Sequence, residues 1–154
     1  MPHIHDKIDF TVEVFIVYKN KVLLRKHDKY KFWLSVGGHV ELDEDPNQAA
    51  IREVKEEVGL DVVLHQPVNV TYVKEKDYQD LIAPAFMNRH RINEHHEHVT
   101  LAYFARANTD KISLSEEEVT EECRWFCLED LIKDKEVKFR IKNYALAALK
   151  AFKE

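Results

Sequence analysis

The sequence has few glycines, few cysteines and no long apolar run. Its two cysteines, Cys123 and Cys127, lie within one short segment, which neither resembles a disulfide framework nor completes a four-ligand zinc site. We interpret both as packing residues. No apolar run approaches the roughly 20 residues that a membrane span needs, and the opening stretch MPHIHDKIDF lacks the apolar core of a signal peptide. We therefore expect a cytoplasmic protein with no membrane partner.

The composition predicts one globular domain that does not bind nucleic acid. At 154 residues the chain has about the length of a single domain, to which we assign residues 1–154. Its contents of 45% hydrophobic and 33% charged residues are ordinary for a globular protein. The formal net charge of −5 argues against general binding to a nucleic-acid backbone. An anionic partner would have to be attracted locally.

All three glycines flank one stretch that consists of a loop and a predicted helix. Gly37–Gly38 precede it, and Gly59 follows its last residue, where a left-handed conformation costs glycine least. Asp45 suits the N-cap position and is followed by a proline, which suits the first helical position. Gln48 completes a capping-box pairing three residues after the cap. The pattern predicts a helix over residues 46–58.

The two faces of this helix differ in chemistry. At roughly 100° per residue, apolar side chains fall on one face and are expected to pack against a sheet: Ala50, Ile51, Val54 and Val58. An arginine and three glutamates fall on another: Arg52, Glu53, Glu56 and Glu57. Carboxylates one turn apart repel one another, and a hard divalent cation that prefers oxygen ligands, Mg²⁺ or Mn²⁺, would offset that repulsion. A solvated acidic face is the alternative.

Nine positions within residues 38–60 match the pattern Gx5Ex7REUxEExGU, where U is a bulky aliphatic residue: Gly38, Glu44, Arg52, Glu53, Val54, Glu56, Glu57, Gly59 and Leu60. This stretch resembles the Nudix box of the Nudix hydrolase family. The resemblance implies that the three glutamates bind divalent metal beside a diphosphate, with a backbone carbonyl of Gly37 or Gly38 as a further ligand. It also implies an ion pair between Arg52 and Glu44 that orients the glutamates. Val36 stands where many members have proline, so the resemblance does not fix the conformation of that loop.

Strands and helices alternate along the rest of the chain. Residues 10–18 and 21–27 predict a hairpin, residues 61–73 one irregular strand, and Val99–Ala107 a central strand. An amphipathic stripe predicts a core-packed helix over residues 140–152. These elements favour an α/β protein, and the resemblance implies the Nudix-type α/β/α sandwich with a mixed β-sheet.

The segment Lys74–His98 is polar and predicts no regular element. A connection of this length is more often a functional loop than an idle one, so we expect it to contact substrate through Arg89, Arg91 and His96, together with Trp33 from outside it. The alternative is a solvated loop. Its histidines at 95, 96 and 98 also suit a transition metal, an interpretation that we set aside for want of a structured ligand set. If strand pairing begins near His96, that residue and His98 share one face.

In a second acidic segment, residues 115–131, five glutamates precede the aromatic pair Trp125–Phe126. It resembles the second acidic patch of the Nudix family, which often supplies another ligand or the catalytic base. We select Glu118 from it, with Glu117 as its neighbouring alternative. An exposed acidic turn is the alternative for each of these glutamates.

The expected activity follows from the chemistry of diphosphates, whose negative charge repels hydroxide. We expect Mg²⁺- or Mn²⁺-dependent hydrolysis of the diphosphate linkage in a nucleoside diphosphate joined to another moiety, such as a nucleotide sugar. Glu57 and Glu118 are the candidate bases. The alternatives are a nucleoside triphosphate pyrophosphohydrolase and a nucleotide-binding Nudix-like domain without turnover. The partner is a small diphosphate-containing nucleotide, and the family makes a homodimer possible.

Overall fold

Ten strands and three helices follow one another in the part of the chain that the computed structural model describes, residues 3–26, 31–115 and 122–153. The strands are β1 (Ile8–Tyr18), β2 (Lys21–Lys26), β3 (Trp33–Leu34), β4 (Val36–His39), β5 (Val62–Leu64), β6 (Lys74–Glu75), β7 (Tyr78–Gln79), β8 (Phe86–Asn93), β9 (His96–Ala107) and β10 (Glu122–Phe126). The helices are α1 (Pro46–Val58), α2 (Leu128–Lys133) and α3 (Phe139–Ala151). None of the helices in these ranges is long and apolar enough to cross a membrane.

A parallel pair of strands, β1 and β9, forms the centre of a mixed eight-stranded sheet. The main strand order is β10-β2-β1-β9-β5. In addition, β3 pairs with β2, β4 with β1 and β8 with β9. Every pair in the sheet other than β1–β9 is antiparallel. The central role predicted for Val99–Ala107 is confirmed, although its strand begins three residues earlier, at His96. The mixed sheet agrees with the predicted fold class.

The predicted β1–β2 hairpin is confirmed. Lys19 and Asn20 have φ angles of 44° and 62° and form its turn. A two-residue turn with positive φ at both positions has the twist that neighbouring antiparallel strands need. The turn therefore fixes the register in which Val17 pairs with Val22. Residue 27, included in the predicted second strand, lies outside the described residues.

Helix α1 has the predicted boundaries, and both of its predicted caps are present. The Asp45 side chain accepts the Gln48 N–H at 2.9 Å, and the Gln48 side chain accepts the Asp45 N–H at 2.9 Å. At the other end Gly59 has a φ of 71°, and its N–H donates to the Lys55 carbonyl. The prediction that Ile51 packs against the sheet was wrong. This residue is 44% exposed, because the buried face of the helix is centred on Ala50 and Val54.

The sheet lies between two helical layers, which confirms the α/β/α sandwich. Even-numbered residues of β1, such as Val14 and Ile16, pack with α1, whereas Phe15 and Val17 pack with α2 and α3 on the opposite face. Strand alternation thus divides the core into two clusters. We refer below to the α1 face and the α3 face of the sheet.

The prediction of a long structureless loop over Lys74–His98 was wrong. Strands β6 and β7 form a small hairpin, and β8 pairs with the first half of β9. The sequence signal was weak because β8 is an edge strand with largely exposed, polar side chains and lacks the apolar alternation by which half-buried strands are found. The irregular strand predicted over residues 61–73 is limited to β5.

Candidate active site

The carboxylate of Glu53 is the buried centre of the candidate site. Helix α1 presents this side chain to the sheet, where only 4% of the residue is exposed. Gly38 of β4 lies directly against it, so that a Cβ atom at position 38 would overlap the Glu53 carboxylate. Glycine is therefore needed here for close approach of backbone to carboxylate.

Glu57 lies one turn farther along α1, and its carboxylate hydrogen-bonds with that of Glu53. Burial raises the pKa of Glu53, although a hydrogen bond with Glu57 and the charge of Arg52 act in the opposite direction. The Glu57 side chain is 12% exposed and lies 3.4 Å from Arg25 Nε, measured from its Oε2. Neighbouring carboxylates favour positive charge beside them, and Arg52 and Arg25 supply part of it.

Glu56 occupies the outer edge of the same surface. Its side chain is 60% exposed, and its Oε2 lies 3.1 Å from Arg52 Nη1. The three glutamates therefore form a graded set, from buried Glu53 through Glu57 to solvent-facing Glu56. A graded set of this kind fits a cation that keeps some of its water ligands.

Arg52 links the helix to the preceding loop. Its Nε and Nη2 donate to the two oxygens of Glu44 at 2.9 and 2.6 Å. Nη2 also donates to the His39 carbonyl at 3.0 Å, and Nη1 donates to Glu53 Oε1 at 3.0 Å. The hydrogen bond with Glu44 is the main cause of a raised pKa at Arg52, and it holds the pKa of Glu44 below its usual value. The ion pair implied by the box is present in the structure.

The donor set fits a hard divalent cation such as Mg²⁺ or Mn²⁺. Glu53, Glu56 and Glu57 offer carboxylate oxygens from one helix face, and the backbone of Gly38 borders the innermost of them. Oxygen ligands, excess negative charge and one solvent-facing ligand are the chemistry that these cations prefer. The buried carboxylate of Glu53, next to the partly buried Glu57, is the observation that favours further positive charge beside Arg52 and Arg25.

The other predicted site residues lie elsewhere. Trp33 is 2% exposed and packs edge-on against Phe126, so its ring is not open for stacking on a substrate. Arg89 lies on edge strand β8 and pairs with Glu97 at 3.2 Å. Arg91 is on the same strand, beside the loop between β8 and β9. Glu118 and its alternative at position 117 lie outside the described residues.

His96, predicted to contact substrate, is buried on the α3 face instead. It belongs to a group that we call the histidine cluster: His3, Asp9, His39, His96 and His98. Burial and the neighbouring histidines lower the pKa of His98 to about 4, and burial lowers the pKa of His39. Sequence reasoning missed His3, Asp9 and His39, and it also missed Arg25 beside Glu57. No local motif marks these four residues, since pairing between strands positions Asp9, His39 and Arg25, and backbone hydrogen bonds to Asp9 position His3.

Comparison with known proteins agrees with this architecture. A family model described as the NUDIX domain matches residues 9–147. The crystal structure of a hydrolase of the NUDIX family from Clostridium perfringens superposes with a TM-score of 0.80 at 34% identity, covering 92% of this chain and 96% of that one. A MutT NUDIX hydrolase from Burkholderia pseudomallei, at 19% identity, has a TM-score of 0.62 over 96% of this chain and 99% of its own, and shows the fold alone.

Two curated relatives match over a shorter stretch. Dihydroneopterin triphosphate diphosphatase of Escherichia coli strain K12 is 52% identical over 48 residues, which cover 31% of this chain and 32% of that protein. The Haemophilus influenzae protein of the same name is 46% identical over 52 residues, or 33% of each chain. The chain thus matches about a third of the length of these relatives.

The fold, the site and the family match define one class of protein: the chain belongs to the NUDIX family. The prediction of a Nudix hydrolase, drawn from the box, is confirmed at the level of family and enzyme class.

Proposed function

We propose that this protein is a divalent-cation-dependent pyrophosphohydrolase, in which Glu53, Glu56 and Glu57 hold Mg²⁺ or Mn²⁺. The observation that carries the proposal is the buried carboxylate of Glu53, which lies against the backbone of Gly38 and next to the partly buried Glu57. When bound, the cation neutralises diphosphate charge and activates the attacking water. The protein's part is to hold the carboxylates in a fixed orientation.

Arg52 and Glu44 are proposed to act through orientation. Arg52 touches Glu53, Glu56 and the His39 carbonyl while Glu44 anchors it. The side-chain conformation of Arg52 is therefore fixed by Glu44 and the His39 carbonyl, and Arg52 in turn orients Glu53 and Glu56. Removing a residue that hydrogen-bonds to the ligands of a metal commonly lowers metal affinity or activity by about 10- to 100-fold.

Glu57 is the proposed general base among the described residues. Its side chain is mostly enclosed, next to both Glu53 and Arg25, and a carboxylate so placed can take a proton from water. Glu118 remains the second candidate from the sequence. Replacement of each separately, with kcat measured at saturating cation, distinguishes them, because loss of a general base typically lowers the rate by about 100- to 10,000-fold.

The proposed substrate is a nucleoside diphosphate joined to a second moiety, hydrolysed to a nucleoside monophosphate and a phosphorylated product. A second candidate is a triphosphate cleaved to a monophosphate and pyrophosphate. The names of the E. coli and H. influenzae relatives favour this second candidate. The residues of the box contact the diphosphate common to both classes and do not discriminate between them.

A substrate panel with identified products tests the proposal. The purified chain is incubated with nucleotide sugars, dinucleoside polyphosphates, canonical and oxidised nucleoside triphosphates and dihydroneopterin triphosphate, with Mg²⁺, with Mn²⁺ and with a chelator. We expect turnover of one class that needs the cation and is lost in Glu56→Gln and Glu57→Gln. Release of pyrophosphate identifies the triphosphate reaction, and two phosphorylated organic products identify the other.

Glu129→Gln is the matched control, because it makes the same chemical change on exposed helix α2, away from the site. It should retain full turnover. Full activity and normal cation affinity in Glu57→Gln would contradict the proposed role of that residue. Tight nucleotide binding without turnover across the panel would instead identify a binding domain.

A further inference from the structure

The histidine cluster lies on the opposite face of the sheet from the three glutamates. Asp9 and His98 are directly paired across the parallel strands β1 and β9, and His96 lies two residues before His98 on the same face. Asp9 belongs to the α3 face because it lies an even number of residues before Phe15 and Val17 on the same strand. The cluster is therefore separate from the glutamate surface, which faces α1.

Asp9 is the centre of this cluster. It is 1% exposed, and its Oδ2 lies 3.3 Å from His3 Nδ1, 3.2 Å from His39 Nε2 and 3.4 Å from His96 Nε2. Its carboxylate also accepts the backbone N–H groups of Ile4 at 3.0 Å and His5 at 2.6 Å. These backbone bonds fold the segment before β1 over the strand and place the His3 ring 3.6 Å from the His96 ring, between centroids.

The tautomer of His96 is set by its other nitrogen. Nδ1 lies 3.0 Å from the Asp6 carbonyl oxygen, which can only accept, so Nδ1 carries the hydrogen. In the neutral ring Nε2 then presents a lone pair toward Asp9 Oδ2, which is also an acceptor. Nε2 is buried and has no hydrogen-bond partner. Two facing acceptors at 3.4 Å require a cation or a proton between them.

We propose that His3, Asp9, His96 and His98 form a second metal site, for a four-coordinate transition-metal ion of the Zn²⁺ type. Each of the four offers one ligand atom, and all these atoms lie within 4.8 Å of one another. Bonds of 2.0–2.2 Å in a tetrahedral site place neighbouring ligand atoms about 3.4 Å apart. The His3–Asp9 and His96–Asp9 separations of 3.3 and 3.4 Å already have that value.

The donor type separates this site from the glutamate surface. Three imidazoles and one carboxylate suit Zn²⁺ and its neighbours in the transition series, whereas Mg²⁺ prefers oxygen alone. The bond from His96 Nδ1 to a backbone carbonyl is the arrangement that orients histidine ligands in metal sites. His39 contacts Asp9 but is not one of the four proposed ligands, which make up a four-coordinate set without it.

All four ligands come from the protein, which is typical of a structural site. Its role would be to fasten the segment from His3 to Asp9 onto the start of β9. Binding free energy at such a site adds to the free energy of folding. The proposal does not rest on the proposed hydrolase activity, because its readouts are metal affinity and thermal stability.

Zn²⁺ titration of the apo protein tests the site. The full chain, free of any polyhistidine tag, is stripped with a chelator and titrated by calorimetry in excess Mg²⁺, which occupies the glutamate surface. We expect one Zn²⁺ per chain and a rise in melting temperature that Mg²⁺ alone does not give. Co²⁺ in the same place should show the strong visible absorption of a four-coordinate ion.

Two matched pairs of variants locate the binding. His3→Gln and His96→Gln should each weaken Zn²⁺ binding at least tenfold, whereas His5→Gln and His95→Gln should leave it unchanged. The controls make the same change on exposed histidines nearby: His5 is two residues from His3, and His95 is next to His96. His3 is itself exposed, so its replacement keeps the test valid if the His96 variant does not fold. Equal Zn²⁺ affinity in wild type and His3→Gln, or no stoichiometric binding in wild type, would overturn the site.

Discussion

Arg52 binds both carboxylate oxygens of Glu44 across eight residues of chain, through Nε at 2.9 Å and Nη2 at 2.6 Å. The same guanidinium reaches Glu53 and the carbonyl of His39. One side chain thus connects the loop, helix α1 and strand β4. The planar fork of arginine makes this possible, and the single ammonium of lysine cannot reproduce it.

Arg52→Lys should therefore lower kcat by about 10- to 100-fold while the fold is retained, because the positive charge stays but the paired hydrogen bonds are lost. Steady-state kinetics on the substrate found in the panel would measure this, with circular dichroism to monitor folding. Arg106→Lys, on an exposed position of β9, is the matched control and should behave as wild type. Unchanged kcat in Arg52→Lys would remove the orienting role.

Glu44→Gln should reduce stability in a pH-dependent way. The hydrogen bond from Arg52 holds the pKa of Glu44 below its usual value of 4.5, so the pair stabilises the fold fully above that pH and less as pH falls through the lowered pKa. The free energy of unfolding should drop by about 1.5–3 kcal/mol at pH 7, the range for hydrogen bonds to charged groups. Near pH 3 the difference from wild type should shrink.

Urea unfolding at several pH values measures that difference. Glu75→Gln, on the exposed β6–β7 hairpin, supplies the same change without an arginine partner and should show no such trend. A Glu44→Gln effect that stays constant from pH 7 to pH 3 would mean that the ion pair is not its source.

The two glycines of β4 should separate activity from stability. In Gly38→Ala the new Cβ meets the flexible end of Glu53, which can move, so activity should fall by about 100-fold, as expected for a misplaced catalytic group. In Gly37→Ala the Cβ meets the Val12 carbonyl and lies 2.9 Å from Glu13 Cα, so backbone must shift. That change should cost about 1–3 kcal/mol of stability.

Melting temperatures and kinetics of the two variants, measured together, test this division. Gly38→Ala should melt closer to wild type than Gly37→Ala does. Wild-type turnover in Gly38→Ala would show that the close approach of position 38 to Glu53 is not needed for catalysis.

Asp45→Ala should destabilise the protein by about 1 kcal/mol, the usual cost of losing an N-cap. Its side chain accepts the Gln48 N–H, which would lose its partner at the start of α1. Asp61→Ala is the comparison, because Asp61 is exposed and makes a surface pair with Lys55 that contributes little. Chemical denaturation of both variants would check the ranking, and an equal loss in the two would contradict it.

The parts of the structure that sequence predicted best are those fixed by neighbouring residues. Helix α1 was found because its caps at Asp45 and Gly59 are local signals. Ile51 was misplaced because the helical period alone leaves the centre of the buried face undetermined by a residue or so. Strand β8 was missed because an edge strand needs no apolar alternation.

The histidine cluster could not be predicted for a different reason. His96 and His98 were recognised as sharing a face, but a ligand set requires partners, and Asp9 reaches them only through the parallel pairing of β1 with β9. That pairing joins residues almost ninety positions apart in sequence. Single-sequence patterns carry no information on such a register, whereas the glutamate set is contained in one helix.

Strand β4 gives its two final residues to opposite faces of the sheet: Gly38 lies against Glu53, and the side chain of His39 contacts Asp9. Side chains along a strand alternate, so inserting or deleting one residue here would exchange the two faces at once. A histidine ring would then point at the glutamates, and a glycine would face the cluster. The length of this segment is thus under a double constraint, and chain-length variation during divergence should be tolerated in the β6–β7 hairpin far more readily than in β4.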